Sequence, residues 1–134
     1  MNIRDFYAEV GKLLYAVAEI DGVISKKEHD ELYKLIRTRM AHREKHTDSF
    51  GTNDAWYAAF EFDVAEDQGM TVEDAFESFT SFIKENKHLL DNDLKEICLM
   101  LADKMAMSYY HTNKKEKELI NKLKEVLGTD HVGL

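Results

Sequence analysis

Six stretches of this chain repeat apolar residues at three- and four-residue steps, and no proline interrupts any of them. Such steps gather side chains on one face of an α-helix, and proline is the residue most damaging to a helix interior. An all-α fold follows, a compact bundle of about six helices forming a single domain over 1–134. Phe6, Val10, Leu13, Leu14 and Val17 stripe a first helix that buries one face and ends near Ile20. Ser25 with Glu28 has the spacing of a capping box and opens a second helix carrying Leu32, Leu35, Ile36 and Met40. The pattern decays over the polar run 43–48, and residues 47–53 read as a loop. Trp56, Tyr57, Phe60 and Phe62 predict a third, shorter helix; residues 60–64 also alternate as a strand would, but an isolated strand is rarely stable. Gly69 followed by Thr71 and Asp74 reads as a stop and a cap, and Val72, Ala75, Phe76, Phe79 and Ile83 stripe the fourth helix. After a polar break at 91–93, Leu94, Ile97, Cys98, Leu101 and Met105 mark the fifth. Asn113 and Glu116 cap a sixth, which carries Leu119, Ile120, Leu123, Val126 and Leu127 and stops at Gly128.

Charge narrows the range of partners. Lys plus Arg number 18 against 26 Asp plus Glu, a formal charge of −8, so the summed field repels nucleic acid and anionic lipid. No apolar run approaches the roughly 18 residues of a membrane span, and residues 1–6 begin on a charged amphipathic pattern without the apolar block of a signal peptide. Cys98 is the single cysteine, in an apolar helical setting, and reads as a core residue in a reducing compartment. Together these predict a cytoplasmic protein that is not inserted in a membrane.

The sequence also echoes itself. Laying Glu28 on Glu116 puts Ser25-Lys26-Lys27-Glu28 over Asn113-Lys114-Lys115-Glu116, and Ala18 over Ala106. This is a weak repeat of a helix, capping turn and helix, although any two capped amphipathic helices align in this way. The echo fails at Asp21-Gly22, which faces Tyr109-Tyr110.

Asp21, Gly22, Ile24 and Glu28 match the second half of an EF-hand loop, with Glu19 at its third liganding position. Val17 stands where the first aspartate belongs, so a functional EF-hand is not expected. The architectural reading of the same residues is that Gly22 supplies a turn with positive φ, Ile24 enters the core, Glu28 closes the cap, and Asp21 caps the broken backbone.

The longer stretch from Leu14 to Glu28, with small and apolar residues, then Asp21-Gly22, Ile24 and a helix-opening Glu28, resembles the first signature of the TerB-like family of tellurite-resistance modules. That resemblance implies a compact helical bundle with a second, related helix pair late in the chain. It also implies links to tellurite resistance, chemical-stress responses and membrane-associated assemblies, and divalent-metal binding by acidic residues. Only Asp21 and Glu28 carry over by position, with Glu19 as a further donor; Ca²⁺ or Mg²⁺ would suit such oxygens. The late signature is missing, because 106–113 hold no Asp-Gly pair.

Other candidates are weaker. His42 and His46 lie one helical turn apart without a third ligand, His111 neighbours Tyr109 and Tyr110, and Glu61, Asp63, Glu66 and Asp67 form an acidic patch. Trp56 and Tyr57 are candidate anchors for a protein partner. No phosphate loop, nucleophile elbow or triad pattern is present. The expectation is therefore a non-enzymatic interaction module that docks on protein partners through a surface groove, with a homodimer equally compatible. A metal-binding stress-resistance protein using the Asp21 to Glu28 turn is the alternative.

Overall fold

The computed structural model describes residues 1–20, 22, 24–42, 44–45, 47, 53–107 and 114–128. Among these residues six α-helices carry the fold: α1 (Ile3–Glu19), α2 (Lys26–Leu35), α3 (Tyr57–Gln68), α4 (Val72–Glu85), α5 (Asn92–Met107) and α6 (Lys114–Leu127). All-α architecture is thus established, and the aromatic segment 57–68 is helix.

α1 is the hub. It begins where the Asn2 side chain accepts from the amides of Arg4 and Asp5, and it packs against α3, α4 and α5. The sequence pattern suggested one buried face; instead Tyr7, Gly11, Tyr15, Ala16 and Ala18 are buried along with the apolar stripe. The reason lies in the small residues between the large ones, which let neighbouring helices approach from several sides. One close approach is to α3. A methyl group on Gly11 would run into the backbone of Ala58, whose Cα lies 3.0 Å from where it would sit. Ala55, Ala58, Ala59 and Ala65 keep this side of the α3 segment shallow enough for the crossing.

Polar groups fix the connections. α2 runs into one wide π-helical turn at Ile36–Met40, closed by the Ala41 amide donating to the Ile36 carbonyl at 2.7 Å. Asn53 then ties the chain back: its Nδ2 donates to the carbonyls of Ala41 (3.1 Å) and Glu44 (2.9 Å), and its Oδ1 accepts from the Ala55 amide. A 3₁₀ turn at Asp54–Trp56 leads into α3, with buried Asp54 held by Arg4 at 3.3 Å. α3 ends at Gly69, whose φ of 63° lets the Met70 amide return to the Ala65 carbonyl, and Thr71 caps α4 through the Asp74 amide. The Tyr15 hydroxyl donates to the Met70 carbonyl at 2.7 Å and so clamps this turn to α1.

One boundary differs from the sequence reading. α5 starts at Asn92, with Asp91 accepting from the Leu94 amide, so Asn92 and Asp93 belong to the helix. Acidic residues in a first turn face the positive end of the helix dipole, and there the polar run continues the helix instead of breaking it. In the echoed segments, Glu28 and Glu116 both occupy the third helical position and both are buried, at 6% and 4% exposure. Asn113, the expected cap of α6, lies outside the described residues.

Gly11→Ala should lower stability by about 1–3 kcal/mol despite the higher helix propensity of alanine, because the obstacle is backbone. Urea unfolding would measure it, and an unchanged or raised midpoint would refute the tight crossing.

Candidate functional site

Three regions hold the residues singled out by sequence. At the α1–α2 turn, Gly22 has a φ of 90° and donates to the Glu19 carbonyl at 2.7 Å. Ile24 is partly buried against the core. The Ser25 hydroxyl oxygen accepts from the Glu28 amide at 3.2 Å, and the Glu28 carboxylate accepts from the Ser25 amide at 2.9 Å, completing the capping box. Asp21 lies outside the described residues. Glu28 is therefore sunk into the helix start, where it holds backbone, while Glu19 stays half-buried beside Tyr15.

Carboxylates from α3 approach the same end of the molecule. Glu66 meets His29 Nε2 at 3.0 Å, and the His29 ring stands edge-on to Phe62. Burial, then Glu19, then Glu66, push the Tyr15 phenol above its ordinary range; burial and Asp63 do the same for Tyr33. The acidic patch read as a solvated face thus turns partly toward α2. Among the described residues, no three His, Cys, Asp or Glu side chains come together as a metal site. His42 is exposed, and its suggested partner His46, like His111, lies outside the described residues.

The aromatic anchors sit at the opposite end of α1. Trp56 is half-buried with its ring tilted on Tyr33 at 6.4 Å, and Tyr57 lies beneath the Arg4 guanidinium at 5.8 Å. Both pack against the core. Phe60, one turn along, is the segment's exposed aromatic at 61%.

The third region is a groove of about 610 Å³ between α4 and α6. Ile20, Val72, Phe76, Leu119 and Val126 make its apolar lining, and charged residues line its sides. The sequence reading placed Val72, Phe76, Leu119 and Val126 in core stripes. In the fold, Leu119 is buried but Val72, Phe76 and Val126 are only half-buried. The signal was present in the width of the stripes. On α4, Ala75, Phe79 and Ile83 form one row into the core, and Val72 and Phe76 form a second row one residue out of phase. On α6, Ile120, Leu123 and Leu127 face inward while Leu119 and Val126 extend the apolar arc to the groove.

Compared with family models, curated proteins and solved structures, the chain matches none.

Cys98 is fully buried, and burial pushes its thiol from 9.0 up to about 12. It should be inert to a disulfide reagent in the native protein at pH 8 and react fully once unfolded; rapid native labelling would contradict its burial. A thiol raised in the folded state gives stability that is complete below pH 9 and is lost as pH rises toward 12. Glu28→Ala should cost about 1–3 kcal/mol by stranding the Ser25 amide, and Glu28→Gln clearly less, since an amide oxygen can still accept. Equal losses on chemical denaturation would sink the capping role.

Proposed function

We propose that this chain is a non-enzymatic, TerB-like interaction module of the cytoplasm that receives a protein partner in the groove between α4 and α6. One observation carries this reading: apolar side chains that a closed bundle would cover remain half-exposed in a continuous concave surface. Covering such surface is worth roughly 25 cal/mol per Å² of apolar area, so a complementary partner has a driving force here. The groups with the most reactive chemistry support the same reading through their commitments. Cys98 is sealed in the core, Glu28 caps α2, and His29 pairs with Glu66.

The TerB-like affiliation rests on the Leu14 to Glu28 stretch and supplies the context of stress response or membrane-associated assemblies. Under it, the Gly22 turn serves mainly to set α2 against α1. One carboxylate oxygen of Glu28, Oε1, is already given to the Ser25 amide, which leaves fewer sites there for a metal. In the groove, Val72, Phe76 and Val126 are already partly exposed.

A photo-crosslinking residue at Lys122, on the groove, should trap discrete adducts in cells, and one at exposed Asp103 on α5 should not. Phe76→Ser should abolish the Lys122 adducts while circular dichroism shows the helices retained. Identical adducts from both positions, or adducts indifferent to Phe76→Ser, would remove the groove as the docking site.

A further inference from the structure

The two sides of the groove differ in charge. Along α6, Lys115, Glu118, Lys122 and Glu125 alternate in sign at three- and four-residue steps and largely neutralise one another. Along α4, exposed Glu73 and Glu77 stand about one helical turn apart, with no ion-pair partner among the described residues. The groove is thus an apolar floor with one acidic edge. Its α4 wall runs from Val72 to Thr80, about 12 Å at 1.5 Å per residue, or some two turns of helix.

We propose that the occupant is a basic amphipathic helix of another protein. Apolar anchors at i, i+3 or i+4, and i+7 would lie on Phe76, Leu119 and Val126, and Lys or Arg side chains along one flank would meet Glu73 and Glu77. Charge complementarity at this edge selects the partner, while the floor supplies the affinity. A folded second copy fits poorly. Among the described residues, its exposed large apolar side chains, Met1, Phe60, Leu89 and Met107, are single and on separate segments and form no helical stripe. This assignment rests on the groove reading above.

The test titrates the full chain, followed by NMR, with two short helical peptides that share a leucine stripe and differ in carrying Lys or Glu on one flank. The Lys peptide should shift resonances of Val72, Phe76, Leu119 and Val126. Its affinity should fall about three- to tenfold on Glu73→Gln/Glu77→Gln, and fall further as salt is raised. Both positions are exposed, and Glu73 lies in the first turn of α4, so the thermal midpoint should fall only slightly. Equal affinity for both peptides at the groove overturns the basic-partner assignment and leaves the groove reading standing. Peptide shifts elsewhere, or none, overturn both. Concentration-dependent self-association in sedimentation, abolished by Phe76→Ser, overturns the assignment in favour of a second copy.

Discussion

The bundle depends on how closely α1 and α3 cross. With a bare Cα at Gly11 opposite the Ala58 backbone, the helices approach more nearly than a side chain would allow. Other contacts accompany that approach. Tyr15 stands edge-on to Phe62 at 5.8 Å, and its hydroxyl reaches the Met70 carbonyl across the α3–α4 turn. The clamp sets the start of α4 beside the end of α1, where Ile20 joins Val72 and Phe76 in the groove. A contact between two small residues near the middle of α1 thus governs a surface near its end.

The fold was legible because helix-forming information is local. Periodic apolar residues, the Ser25–Glu28 box, Gly69 and Thr71 each act within a few residues of themselves, and each stands where the sequence placed it. What escaped was decided by neighbours distant in the chain. Gly11 looks like a weak point in a helix until Ala58 is brought against it, and Asn53 looks like an ordinary loop residue until it bonds two carbonyls at the end of α2. The groove escaped for a related reason. Periodicity says which side chains leave water readily but not whether another helix arrives to cover them, and α6 covers α4 only in part.

The most conspicuous motif and the apolar groove are therefore different places. The turn ending in Glu28 drew attention because its residue types could serve chemistry. In the fold, the positive φ of Gly22 and the carboxylate of Glu28 are both used to change the direction of the chain. The groove contains no unusual residue at all, only valine, isoleucine, leucine and phenylalanine flanked by glutamate, lysine and one threonine. Its distinctiveness is geometric, a product of two helices whose apolar arcs are wider than their contact.

The wide turn at Ile36–Met40 gives the end of α2 a property that no substitution pattern would reveal. Its closing bond spans five residues where an α-turn spans four, so the backbone beyond it is one residue out of phase with the helix before it. Beyond that offset the Ala41 and Glu44 carbonyls accept from Asn53. Losing a single residue there would regularise the helix and swing both carbonyls by about 100° around its axis. Over this segment the number of residues therefore matters more to the Asn53 bonds than the identity of any one side chain.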